Sequence, residues 1–134
     1  MDEAITMSAE QTTLLAWQQS LSASERIVVE TARKLYACQQ APGTCYNAAF
    51  FLCYFLKKHF DIDGRAEVGF INDGVHARYC SHAWYVHKGR ITDLGLSRPL
   101  NPSIIRPGPL TILGRDITPG WKWNYYSAGS AQGL

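Results

Sequence analysis

The sequence has little net charge and no long apolar run, and each absence argues against a class of function. Thirteen lysines and arginines against eleven aspartates and glutamates leave a formal charge of +2, too little for the electrostatic footprint of a nucleic-acid-binding protein. The longest strongly apolar run, residues 48–56, is nine residues long, whereas a membrane-spanning helix needs about 20. The start, Met1-Asp2-Glu3, lacks the basic and apolar parts of a secretory signal. We therefore expect no nucleic-acid partner, no membrane partner and no secretory leader.

The four cysteines show no CxxC or CxxxC spacing, and no Asp-rich calcium loop of the form D-x-[DN]-x-[DN]-G is present. A chain of 134 residues does not need disulfides to fold, so reduced thiols in a cytoplasm are the simplest interpretation. Delivery to a target cell by a leaderless secretion route would give the same composition. We expect no metal and no cofactor.

The composition, 46% hydrophobic and 18% charged, is typical of a globular domain. The order of patterns along the chain predicts one domain with four parts. We expect N-terminal helices over residues 1–40, a core carrying the chemistry over 41–96, an extended loop with C-terminal strands over 97–126, and a flexible tail over 127–134.

Helical patterns come first in the chain. A pattern opens at Ser8, and Ser22 with Glu25 three residues later forms a capping box for a second helix. After the Pro-Gly break at residues 42–43, Thr44 can cap a third helix over residues 45–60. Its apolar residues cover most of its circumference, which predicts a central helix.

Alternating patterns follow, over residues 66–71, 79–87 and 90–94, with weaker ones over 110–113 and 121–126. Helices followed by strands predict an α+β fold in which a central helix packs on a small antiparallel sheet.

Cys45 stands at the predicted first turn of the central helix. Unpaired backbone N–H groups and the helix dipole stabilise a thiolate there, and the thiolate is the nucleophilic form of cysteine. A small buried cysteine would fit the same position, so Cys45 alone decides nothing.

His82 and Asp93 strengthen the case for Cys45. If Lys88-Gly89 is a two-residue hairpin turn, His87 pairs with Arg90 and Trp84 pairs with Asp93. His82 and Asp93 then share one face as diagonal neighbours, within hydrogen-bond reach of each other. The three residues together fit a nucleophile, a base and an orienting carboxylate.

Four segments carry a resemblance to a known family: Gly43-Thr44-Cys45-Tyr46-Asn47-Ala48-Ala49, Arg65-Ala66-Glu67-Val68-Gly69-Phe70, Ser81-His82-Ala83-Trp84-Tyr85-Val86 and Gly89-Arg90-Ile91-Thr92-Asp93. Residues 39–96 resemble a small transglutaminase-like domain of the papain-like cysteine protease superfamily. In that family the cysteine begins a central helix, and the histidine and aspartate lie on adjacent antiparallel strands. Cys45, His82 and Asp93 match those three positions.

The resemblance implies a cysteine-dependent hydrolase or acyl transferase with a Cys-His-Asp catalytic triad that acts on a peptide or protein amide. The superfamily includes peptidases, protein-glutamine deamidases, transglutaminases, peptide-maturation enzymes and bacterial toxins. A peptide or protein substrate and an inhibitor or immunity protein are the partners it implies. It also implies that a glutamine about six residues before the nucleophile helps to form the oxyanion hole. Gln39 has that offset, and Gln40 follows it. Trp84 is the candidate for substrate binding and an alternative hydrogen-bond donor to the oxyanion.

Three other interpretations stay open. One is a zinc site, whose ligands would be Cys38, Cys45, Cys80 and His82, although these spacings match no common zinc pattern. Another is a catalytically inactive papain-like protein-binding module, whose peptide platform would be Trp121, Trp123 and Tyr125. The third is an arylamine or acyl-CoA acyltransferase with the same three catalytic residues.

Overall fold

The computed structural model describes residues 8–39 and 41–132, and within these ranges the chain has an α+β architecture. The helices span Ala9–Ser20 (α1), Ala23–Cys38 (α2) and Cys45–Phe60 (α3). The strands span Arg65–Asn72 (β1), Cys80–His87 (β2), Arg90–Thr92 (β3), Thr111–Ile112 (β4), Arg115–Asp116 (β5) and Asn124–Gln132 (β6). The predicted α+β class is confirmed.

Local sequence signals set the helix ends. Ser8 and Ser22 each form a complete capping box, the second with Glu25 as predicted. The bounds predicted for α3 are also correct, but the predicted cap is wrong. The Thr44 hydroxyl donates to the carbonyl of Ala41 at 3.3 Å, and no side chain caps the start of α3.

One antiparallel sheet carries the strands that concern the site, in the order β3-β2-β1-β6. The predicted hairpin between β2 and β3 is confirmed, with Val86 opposite Ile91 and His87 opposite Arg90. Lys88 and Gly89 both have positive φ, 50° and 75°, which is the backbone of the tight turn that matches strand twist. Strand β3 ends at Thr92, two residues earlier than predicted, because Asp93 pairs with Thr111 instead.

The C-terminal part differs most from the sequence prediction. We predicted a strand over residues 121–126 and a flexible tail from residue 127; instead β6 runs from Asn124 to Gln132 along β1. Small side chains allow this close pairing: a Cβ at Gly69 would lie 2.0 Å from the carbonyl oxygen of Tyr126. The flexible-tail prediction is therefore wrong for residues 127–132, and residues 133–134 lie outside the described part of the chain.

Helix α3 lies against β2 and β1. Its buried residues Leu52 and Leu56 share one apolar cluster with Ala83 and Tyr85 of β2, so the odd-numbered residues of β2 face the helix. His82 alternates with them along the strand and interacts with Cys45, the first residue of α3, at the end of the helix. In residues 8–39 and 41–132, no helix is long and apolar enough to cross a membrane.

Candidate active site

His82 and Asp93 form a buried pair, as the hairpin predicted. The Nε2 atom of His82 lies 2.7 Å from Oδ2 of Asp93, and the two residues are only 4% and 1% exposed. A carboxylate held this close fixes the orientation of the ring and its tautomer. Because Nε2 is engaged by Asp93, Nδ1 is the ring nitrogen that remains for a third group.

Cys45 is that third group. Its thiol lies near enough to the His82 ring and to the backbone N–H of Ala83 for both groups to lower the pKa of the thiol. Cys45 is the first residue of α3, and Gly95 packs directly on it: a Cβ at Gly95 would lie 2.4 Å from the Cys45 Cβ. The structure therefore brings the three sequence-predicted residues Cys45, His82 and Asp93 together.

The charges of this group favour an ionised pair. Burial raises the pKa of the Cys45 thiol, but His82 and the Ala83 N–H outweigh burial, so that the pKa lies below its ordinary value of 9.0. Burial also acts to lower the pKa of His82, but the Asp93 carboxylate and, to a smaller extent, Cys45 raise it to about 10. Each charged partner stabilises the other, which is the behaviour of a thiolate–imidazolium pair.

Asp93 is held on both carboxylate oxygens. Oδ2 accepts from the Tyr125 hydroxyl at 2.8 Å as well as from His82. Oδ1 accepts from the backbone N–H groups of Gly95 and Leu96, at 3.0 and 3.4 Å. Four donors around one buried carboxylate leave it little freedom to rotate, so Asp93 is a rigid support for the imidazole.

Sequence reasoning did not assign Tyr125 to this site, because it placed this side chain on an aromatic platform. Burial, followed by the Asp93 charge, raises the pKa of Tyr125, so the hydroxyl remains a donor to Asp93. The sequence offered one signal for the position of Tyr125. The aromatic residues alternate over residues 121–125, which predicted that Tyr125 shares a strand face with two tryptophans. Nothing in that pattern indicated Asp93 as the partner.

Trp84 lies beside His82, on the face of β2 that the alternation predicted. It is 3% exposed, its ring lies 6.1 Å from that of His82 between centroids, and the Tyr125 ring packs edge-on against it at 4.8 Å. Trp84 therefore packs beside the imidazole, and its role in substrate binding stays a prediction.

Gln39 lies at the C-terminal end of α2. Its carbonyl accepts from Arg98 at 2.5 Å, and its side-chain oxygen is buried with no hydrogen-bond partner among the described residues. An oxyanion would accept from the amide NH₂ group of Gln39 rather than from this oxygen, so the oxyanion role of Gln39 stays a prediction. Gln40 lies outside the described residues. The N–H of Cys45 itself is a second candidate donor, because the first N–H groups of a helix have no acceptor in a preceding turn.

The zinc alternative does not fit the arrangement of these side chains. In residues 8–39 and 41–132, no group of three or more His, Cys, Asp or Glu side chains is arranged so that it could hold a metal ion. Cys38 is exposed at the end of α2, whereas Cys45 is partly buried at the start of α3. The structure does not gather the four proposed ligands.

Comparison of this chain with family models, with curated proteins and with solved structures found no match. The geometry of the site is therefore the basis for assigning a function.

Proposed function

We propose that this protein is a cysteine-dependent hydrolase or acyl transferase that acts on a peptide or protein amide. Cys45 is the nucleophile, His82 the general acid and base, and Asp93 the residue that orients His82. The observation that carries the proposal is the buried 2.7 Å contact between His82 and Asp93 next to a helix-start thiol of lowered pKa. A nucleophile at the start of the central helix, a base on β2 and an acid directly after β3 also support a papain-like core.

Acylation begins with the thiolate. The Cys45 proton resides on His82, and the sulfur attacks the carbonyl carbon of the amide. A C–S bond forms, and the carbonyl π electrons move onto oxygen. The N–H of Cys45 at the start of α3 is placed to donate to that oxyanion, and Gln39 is the proposed second donor.

Collapse of this tetrahedral intermediate breaks the C–N bond. His82 gives its proton to the departing amine, and a thioester between the acyl group and Cys45 remains. Water or a second amine then attacks the thioester while neutral His82 takes its proton, and the thiolate is released. Water gives hydrolysis, or deamidation when the amide is a glutamine side chain; an amine gives transamidation.

The Cys45→Ala variant tests the proposal. We expect turnover to fall roughly 10³-fold or more, with a nearly unchanged melting temperature, because a thiol is small. The assay incubates the protein with a proteome-derived peptide library and measures new termini by mass spectrometry and released ammonia by a coupled assay. The matched control is Cys38→Ala, which removes an exposed cysteine. Full activity in Cys45→Ala would show that the mechanism is wrong.

An inactive papain-like binding module is the alternative function, with Trp121, Trp123 and Tyr125 as its peptide platform. Each ring already has an intramolecular partner: Arg106 lies over Trp121 at 4.3 Å, Trp123 donates to the Arg106 carbonyl at 3.3 Å, and Tyr125 donates to Asp93. These contacts weaken the platform. Alkylation by iodoacetamide separates the two functions, because an active thiolate reacts fast and depends on His82, whereas an inert thiol reacts slowly in the wild type and in His82→Ala alike.

A further inference from the structure

A cavity of about 490 Å³ lies between the β1–β2 loop, the segment at residues 103–106 and Trp123, which directly precedes β6. Cys80 and Trp123 line it. Cys80 precedes His82 by two residues on the same face of β2, and Trp123 precedes Tyr125 by two residues. Two residues of a strand span about 6.5 Å, so the lining residues Cys80 and Trp123 lie about that far along the chain from His82 and Tyr125.

The cavity, which we name the arginine cavity, carries excess positive charge. Arg78 and Arg106 line it, and no carboxylate among the described residues forms an ion pair with either. Asp73, the one acid among the described residues that line it, is already engaged by the His76 ring at 2.6 Å and by the N–H groups of Val75 and His76 at 2.9 and 2.8 Å. Arg78 and Arg106 are both exposed, and the carboxylate of Asp73 is already bonded within its own loop, so the charge of the two arginines is not neutralised there.

Arg106 is held in place without an ion pair. Its guanidinium stacks on the Trp121 ring at 4.3 Å, and its carbonyl accepts from the Trp123 indole. The backbone at Arg78 is fixed as well, because its carbonyl accepts from Asn72 at 2.6 Å. Stacking uses the flat face of a guanidinium and leaves its N–H edge able to grip a carboxylate with two parallel hydrogen bonds.

We propose that the arginine cavity binds a carboxylate of the peptide substrate, with Arg106 and Arg78 as the recognition residues. The carboxylate belongs either to an aspartate or glutamate side chain or to the C-terminus of the peptide. Given the spacing from His82, it lies two or three residues from the amide that Cys45 attacks. The inference rests on the proposed function for the position of that amide, but binding of the carboxylate does not require turnover.

Binding to the full-length Cys45→Ala protein tests the inference. The probes are fluorescent hexapeptides that carry glutamate or glutamine at one position of an alanine background, and their dissociation constants are measured by anisotropy. We expect glutamate at one position to bind roughly tenfold more tightly than glutamine, as charge-assisted hydrogen bonds give. Arg106→Gln and Arg78→Gln, added singly, should each reduce this preference, and the double variant should reduce it below twofold. Arg33→Gln, an exposed arginine on α2, should leave it unchanged.

A second arm identifies the source of the carboxylate. Peptides with a free C-terminus are compared with the same peptides amidated; a preference for the free terminus supports a terminal carboxylate, and a preference for internal glutamate supports a side chain. Equal binding of all matched pairs, or a preference that survives the double arginine variant with its melting temperature intact, would overturn the inference. Alkylation of Cys45 in the wild-type protein is measured in parallel. Slow, His82-independent alkylation together with an arginine-dependent preference would reject the proposed function and support the carboxylate site.

Discussion

Replacing Asp93 with asparagine alters the side chain of the site that accepts the most hydrogen bonds. The carboxylate accepts from four donors, two on each oxygen: His82 and Tyr125 on one, and the Gly95 and Leu96 N–H groups on the other. Asparagine has one acceptor oxygen and one NH₂ group, so in either orientation the NH₂ group meets two donors. The orientation that keeps the backbone contacts turns the NH₂ group toward His82.

The magnitude depends on the tautomer of His82. An NH₂ group at Nε2 requires that nitrogen to accept, and the ring proton then moves to Nδ1, the nitrogen that faces Cys45. An imidazole protonated there cannot take the proton of the thiol. The same change in Ser-His-Asp sites lowers turnover about 10⁴-fold, and we expect roughly 10³–10⁴-fold here, with KM nearly unchanged. Loss of the Asp93 charge also removes the main cause that raises the pKa of His82, so that pKa should fall.

The assay measures turnover and the rate of Cys45 alkylation by iodoacetamide near neutral pH, with the modified peptide identified by mass spectrometry. Asp61→Asn is the matched control, because its side chain is 89% exposed at the end of α3 and lies outside the site. Thermal unfolding confirms that Asp93→Asn is folded at the assay temperature. Wild-type turnover and alkylation in folded Asp93→Asn would refute the assignment of Asp93 as the orienting residue.

Three further predictions concern the same site. The profile of kcat/KM against pH should be bell-shaped. Activity should rise as Cys45 loses its proton, at a pH below 9.0, and fall as His82 loses its proton at about 10. A profile in which activity does not fall at alkaline pH would contradict the role of the imidazolium. Tyr125→Phe removes the hydroxyl that donates to the Asp93 carboxylate at 2.8 Å, so turnover should fall roughly tenfold with KM unchanged. An unchanged turnover would show that Tyr125 contributes only to packing. Gly95→Ala brings a Cβ to 2.4 Å from the Cβ of Cys45 and should strongly reduce the rate of alkylation by iodoacetamide. The control is Gly129→Ala, whose added Cβ meets nothing within 4 Å. Equal alkylation rates in the two variants would show that the contact between Gly95 and Cys45 does not shape the site.

Local sequence signals were sufficient for the parts of the site that depend on neighbouring residues. The capping box at Ser22 and the Pro-Gly break before Cys45 located the helices correctly. The Lys88-Gly89 turn fixed the alignment of β2 and β3, and alternation then put His82 and Asp93 on one face. These predictions hold because a tight turn and a twofold side-chain period leave one alignment for a hairpin.

Contacts between distant segments were not predictable in the same way. Tyr125 reaches Asp93 across 32 residues only because β6 lies beside β1, and the alignment of these strands shifts at a bulge between Val68 and Gly69. No turn links the two strands directly, so their alignment depends on packing of the whole sheet. For the same reason the small residues after Tyr126 suggested a tail, although backbone pairing with β1 makes them a strand.

Trp84 illustrates a different limit. The pattern put this side chain on the same face as His82, which is correct, but it did not show whether that face was open. The Tyr125 ring covers Trp84, and Tyr125 comes from a part of the chain whose position was unknown. The role of Trp84 in substrate binding therefore stays a prediction.

Asp93 links two tasks that enzymes often assign to separate residues. One of its oxygens holds the imidazole, while the other anchors the backbone at Gly95, the residue that packs against Cys45. Any motion that breaks the bond between Asp93 and the Gly95 N–H therefore also disturbs the contact between Asp93 and His82. Local opening of this segment should therefore abolish fast alkylation of Cys45, and slow amide exchange at Gly95 should accompany every state in which Cys45 reacts fast.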